Sequence, residues 1–85
     1  MKTITFYTDP GHGWAAVPMA ELFTLGIADK ISPYSYRKGE TAFLEEDCDF
    51  STYMEAIKGQ PYEIKEHHTT TDSPIRNSKS FRATP

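Results

Sequence analysis

The sequence predicts an α+β domain: a small, mostly antiparallel sheet in the order ββ-α-ββ-α-β, with two short helices on one face and an extended C-terminal arm. Three observations carry this reading. Short stretches of alternating apolar and polar residues, rich in β-branched and aromatic side chains, recur along the chain. Two other segments space their apolar residues at i, i+3 and i+4, and each ends at a glycine. The chain has 85 residues, enough for one domain that hides about 60–65% of its unfolded surface and too few for a large internal active site.

Residues 3–7 form the first predicted strand, with Ile4 and Phe6 alternating against Thr3, Thr5 and Tyr7. Asp9, Pro10, Gly11, His12 and Gly13 are dense turn chemistry. Residues 14–17 then return as a second strand across a loop of five or six residues. Pro18 opens a short helix whose apolar stripe is Met19, Leu22 and Phe23. Gly26 is placed just past that helix in a left-handed conformation, and Ile27 closes back on Leu22.

Residues 31–36 lead into a second hairpin, with its turn at residues 37–40 and its return strand at residues 41–45. Asp47 or Asp49 is the expected cap of a second helix over residues 50–58. Phe50, Tyr53, Met54 and Ile57 form its buried stripe, Cys48 is expected to pack on Tyr53 as a small core residue, and Gly59 and Pro61 end the helix. Residues 62–66 are the last predicted strand, with Tyr62 and Ile64 on one face. Residues 1–66 thus make the domain. Residues 67–85 hold seven Ser or Thr and only Ile75 and Phe81 as large apolar anchors, which reads as a flexible arm.

Composition narrows the function classes. Aromatics are 13% of the chain, so a few rings carry the core. The single cysteine excludes an internal disulfide and any multi-cysteine zinc site. No apolar run approaches the length of a membrane span, and no basic stretch with a following apolar block marks a secretory signal. A net charge of −3 argues against general duplex binding. No phosphate loop and no Gly-x-Ser-x-Gly motif is present, and no cofactor is implied.

Three stretches are candidate contact surfaces. The loop bearing Asp9, His12 and Trp14 can expose a histidine, although a plain hairpin loop with Trp14 in the core explains the same residues. Glu40, Glu45, Glu46, Asp47 and Asp49 put five acids in ten positions. They form either a solvated face or a surface that fits a basic groove on another protein. Arg76, Lys79 and Arg82 make the arm basic, so the chain carries contacts of opposite sign, suited to a partner or a second copy. Two other readings stand beside protein binding. The arm, with Phe81, could grip phosphates and stack a base, as in a small dimeric nucleic-acid-binding regulator. Asp9, His12 and His67 or His68 could hold a catalytic metal.

The segment Val17-Pro18-Met19-Ala20-Glu21-Leu22-Phe23-Thr24-Leu25-Gly26-Ile27 resembles the strand-Pro-helix-Leu-Gly-Ile stretch of AbrB-type swapped-hairpin transcription factors. That resemblance implies an obligate dimer with basic DNA-facing loops, whereas the neighbouring segment here is acidic. A broader resemblance covers most of residues 12–76. Gly13-Trp14, Val17-Pro18, Leu25 to Ser32, Tyr34-Ser35-Tyr36, Leu44 to Asp49 and Ser73-Pro74-Ile75-Arg76 look like small uncharacterised proteins of phages and mobile elements. It carries no catalytic residues. It implies a tiny acidic protein in the host cytoplasm that binds a host complex, such as a defence or nucleic-acid-processing assembly, and inhibits it. The expectation is therefore a non-enzymatic, protein-binding accessory factor.

Overall fold

The computed structural model describes residues 1–83; Thr84 and Pro85, the end of the segment read as an arm, lie outside the described residues. The strands are β1 (Lys2–Thr8), β2 (Gly13–Pro18), β3 (Tyr36–Lys38), β4 (Thr41–Glu45), β5 (Tyr62–His68) and β6 (Lys79–Ser80). The helices are α1 (Met19–Thr24) and α2 (Asp49–Ala56), with single 3-10 turns at Ala28–Lys30 and Pro74–Asn77. Among the described residues the strands make one sheet in the order β5-β1-β2-β4-β3-β6. Every neighbouring pair is antiparallel except β1 with β5, which is parallel. The fold is α+β with a mostly antiparallel sheet, as the alternating patterns predict.

The alternation decides the two faces. Ile4, Ala15, Val17, Ala42 and Leu44 point to one side and bury against Met19 and Leu22 of α1 and Tyr53 and Ile57 of α2. Phe6 joins this layer, with its ring 5.2 Å from that of Phe50. Gly13 has to be glycine there, because a Cβ would lie 2.6 Å from a Phe6 ring carbon. The opposite face carries Tyr7, Trp14, Tyr36 and Phe43, and Tyr36 sits directly across from Phe43. Trp14 and Ile75 are buried but lie outside the helix-side core.

Local signals fared well where they were short-range. Gly26 has φ +72°, its N–H donates to Phe23, and the Ile27 N–H donates to Leu22, which is the six-to-one and five-to-two pattern of a Schellman cap. Gly39, at φ +60°, stands first in a two-residue turn between Lys38 and Thr41, a narrower turn than residues 37–40 because Arg37 and Lys38 pair with β4. Other expectations need correction. Pro18 flanks α1 rather than sitting inside it. The first loop has four residues, since Thr8 pairs with Gly13. Residues 31–35 are turn rather than strand, which leaves Tyr34 exposed.

The segment read as an arm is the largest difference. β5 continues to His68, so its boundary lies beyond residue 66. The Pro74–Asn77 turn then seats Ile75, and β6 pairs with β3. Phe81 is 4% exposed within the helix-side core, and its N–H donates to the Ser35 carbonyl at 2.8 Å. Two spaced apolar anchors are enough to fix a polar segment when each is buried, as Ile75 and Phe81 are here. Phe81→Ala is expected to cost about 3–5 kcal/mol in urea unfolding, whereas Arg82→Ala next to it changes stability by under about 0.5 kcal/mol. Equal, small effects at both positions would show a loose segment.

Candidate functional site

The first loop is built on Asp9. Its Oδ1 accepts from the Gly11 N–H at 3.0 Å and the His12 N–H at 2.9 Å, an Asx turn that fixes the loop. The same carboxylate takes the Arg76 guanidinium in a fork, at 2.9 Å to Oδ1 and 2.6 Å to Oδ2. Oδ2 also accepts from the Ser73 N–H at 3.0 Å. The Asp9 side chain has 0% exposure, so Arg76 and three backbone donors replace its water. The Arg76 fork is the main reason the carboxyl is held far below its ordinary range; burial pushes the other way and the backbone donors add to the lowering. Arg76 in turn is raised above its usual value, chiefly by Asp9. Its guanidinium carbon also lies 5.4 Å from the centre of the Trp14 ring.

A second carboxylate network shapes the turn between β4 and α2. Glu45 accepts from the N–H groups of Cys48 and Asp49, each at 2.6 Å, and from Asp47 at 2.8 Å. It therefore satisfies the donors at the start of α2, the role expected of Asp47 or Asp49. Asp49 faces inward at 2% exposure and accepts from the Ser32 N–H and Oγ and from the Ser35 Oγ. Ser35 Oγ itself accepts from the Glu45 N–H at 2.9 Å, which links both acids to the chain before β3.

Between these two networks lies an open groove of about 550 Å³. Trp14, Tyr36 and Tyr34 line it, with the Trp14 and Tyr36 rings edge-on at 6.1 Å. Tyr34 is 82% exposed. His12, Glu46, Asp47 and Cys48 stand around it, and His12 Nδ1 is 3.7 Å from Glu46 Oε1. Such a groove can hold a cationic or amphipathic side chain between aromatic rings and exposed carboxylates.

The structure sorts the residues singled out from the sequence. His12, Glu46 and Asp47 are exposed and meet at the groove. Trp14 also reaches the groove but is 3% exposed, mostly a core ring. Asp9 and Asp49 are corrected from surface contacts to buried fasteners, and Glu45, though half-buried at the groove, has its oxygens taken by backbone N–H groups of the same chain. Arg76 likewise is spent on Asp9 rather than free on an arm. Glu40 lies in the β3–β4 turn near Arg37, outside the groove lining. Lys79 and Arg82 are exposed near β3, where the Arg37 Nη1 donates to the Arg82 carbonyl. Cys48 is exposed, not a core residue packed on Tyr53. The Asp9, His12 and His67 metal set is not assembled. Asp9 is saturated, His67 stacks on Tyr7 at 5.4 Å, His68 pairs with the Thr8 hydroxyl, and among the described residues no three metal-binding side chains converge.

No family model, curated protein or solved structure matches this chain. The site therefore stands on its own geometry. Sequence reasoning missed Tyr34 as an exposed groove ring and Glu45 as the helix cap. Tyr34 follows Pro33 in a turn-forming Ser-Pro-Tyr-Ser run, a signal against a strand there. Among the described residues no helix is long and apolar enough to cross a membrane.

Asp9 gives a pH prediction. Its folded-state value is depressed, so its contribution is complete well above the ordinary value of 3.8 and is lost as pH falls below it toward the lower folded value. Asp9→Asn should melt well below the wild type at neutral pH, and the gap should shrink steadily as pH falls through 3.8. Circular dichroism melts across the acid range measure this. A gap independent of pH would mean that the charge of Asp9 does not hold the loop.

Proposed function

We propose that this chain is a non-enzymatic, protein-binding accessory factor that captures a basic or aromatic–basic segment of its partner in the groove. The observation that carries the reading is the exposed Tyr34 ring beside the exposed carboxylates of Glu46 and Asp47. Arg76 reaches the same groove, but its charge is balanced by Asp9, so the surface charge left for a partner is negative. Both walls are held by hydrogen bonds to the buried carboxylates of Asp9 and Asp49, and a groove formed in advance loses little ordering entropy on binding. The resemblance of residues 12–76 to phage and mobile-element proteins supplies the setting: a host cytoplasm, and a host defence or nucleic-acid-processing complex as the target to be inhibited.

A second reading keeps one specific observation. Arg37, Lys38, Lys79 and Asn77 line a shallower groove of about 370 Å³ at the β3–β6 edge, and Lys79 sits directly opposite Arg37. Arg37 is engaged with Glu40 and with backbone carbonyls, so the exposed ammonium groups of Lys38 and Lys79 are the ones that would meet a phosphate there. This supports a nucleic-acid-binding regulator, with its contacts at the sheet edge rather than on an arm.

A pull-down from host lysate at about 0.1 M salt, where screening sets in near 10 Å, separates the two. The groove variant combines Tyr34→Ala, Glu46→Gln and Asp47→Asn, and the control is Glu40→Gln. The expected result is one dominant, nuclease-resistant partner that the wild type and the control retain and the groove variant loses. Capture that survives the groove substitutions overturns the groove reading. Recovery that needs nucleic acid and falls with Lys38→Ala and Lys79→Ala transfers the assignment to the sheet edge.

A further inference from the structure

β5 is an edge strand with an unusual surface. All seven of its residues are exposed, including Tyr62 at 45% and Ile64 at 48%. Ile64 lies in register with the buried Ile4, so it continues the helix-side face past the shelter of the helices. No proline or glycine lies within the strand, and its ladder with β1 runs unbroken from Lys2 and Tyr62 to Thr8 and His68. Natural edge strands are usually shortened, bulged, covered or charged against pairing with another chain, and in β5 the charges of Glu63, Lys65 and Glu66 are the one such device, so their order decides which chain can pair.

The hydrogen bonds show which backbone groups face outward. The Lys2 N–H donates to the Pro61 carbonyl, and the Thr69 N–H donates to the Thr8 carbonyl. Each residue of a strand directs its N–H and C=O to one side, and neighbours alternate. The odd-numbered residues from Pro61 to Thr69 therefore face β1. The N–H and C=O groups of Tyr62, Ile64, Glu66 and His68 point to the open edge.

From this we infer that β5 is a homodimer interface, pairing antiparallel with β5 of a second copy about a two-fold axis at Ile64. The charge order selects both the occupant and the register. With Ile64 opposite Ile64, Glu63 falls opposite Lys65 of the other copy, and Lys65 opposite its Glu63. Tyr62 then faces Glu66. The outward backbone groups of Tyr62, Ile64 and Glu66 pair with those of Glu66, Ile64 and Tyr62. Moving the axis by one residue puts Glu63 against Glu63 or Lys65 against Lys65, and moving it to residue 66 opposes Glu66 with itself. Of these registers, the one centred on Ile64 joins apolar with apolar and acid with base. A two-fold interface has to be self-complementary in this way.

The test is a charge exchange read by light scattering on the full chain, with circular dichroism to confirm that each variant folds. The wild type should run at twice its 9.6 kDa chain mass. Glu63→Lys and Lys65→Glu should each run as monomers. Mixed in equal amounts, these two variants should recover the dimer mass, because each supplies the charges the other lacks. The double variant Glu63→Lys with Lys65→Glu should also dimerise. Ile64→Pro removes only an outward N–H, so it should keep the β1 ladder and lose the dimer. A monomeric wild type, or a dimer indifferent to either single reversal, overturns the inference. So does a mixture of the two variants that stays monomeric, including the case in which the edge serves a strand of a different protein. The groove at Tyr34 plays no part in these measurements, so they stand apart from the partner capture proposed above.

Discussion

A carboxylate stripped of water is tolerated only when its charge is matched and its lone pairs are met. Asp9 satisfies both conditions with groups drawn from two distant parts of the chain: its own loop and the turn that carries Arg76. Much on the non-helical side of the sheet depends on this pairing. It fixes the loop that presents His12, and it anchors the guanidinium beside Trp14. It also ties down the segment that carries Ile75 over that face. The groove has a defined wall there because a buried charge leaves few other arrangements open to the chain.

The acidic run between residues 40 and 49 shows how charge counts mislead when geometry is unknown. Glu45 turns back onto the backbone at the start of α2, and Asp49 turns in toward Ser32 and Ser35. Both carboxylates replace hydrogen bonds that the backbone and hydroxyl groups would otherwise lack. Glu46 and Asp47, between them, are left outside. Two acids turned inward on either side of two left outside make a stretch of like charge into a rigid corner with a small negative rim. The rim has a direction because the corner is rigid.

The two hairpins and both helices were legible in outline because their signals are local. Strand alternation, the 3.6-residue stripe and glycines beyond helix ends report on neighbours a few residues away. The Schellman closure at Gly26 and Ile27 is an example. What escaped was non-local. Asp9 and Arg76 are 67 positions apart, and nothing near either residue marks the other as its partner. The folding of residues 67–83 escaped for the same reason. A polar segment with two apolar anchors looks loose until the cavities that receive Ile75 and Phe81 are known. Tyr34 was misplaced because residues 31–36 were read together as the lead-in to the hairpin, whereas the chain turns through Ser32-Pro33-Tyr34-Ser35 before β3 begins. Of the candidate site, the individual residues His12, Glu46 and Asp47 were visible in the sequence. Their convergence with Tyr34 was not.

The one parallel ladder in the sheet also orders events in time. β1 and β2 adjoin in the sequence, as do β3 and β4, so each hairpin can close soon after its second strand is synthesised. The far edge of β1 has no such neighbour. It stays open until residues 62–68 have been made and brought back across nearly the whole domain. Through that interval the nascent chain displays the unpaired backbone edge of β1, an arrangement prone to join a neighbouring chain. Concentration and speed of synthesis therefore bear on whether this small protein reaches its sheet alone, or tangles with others on the way.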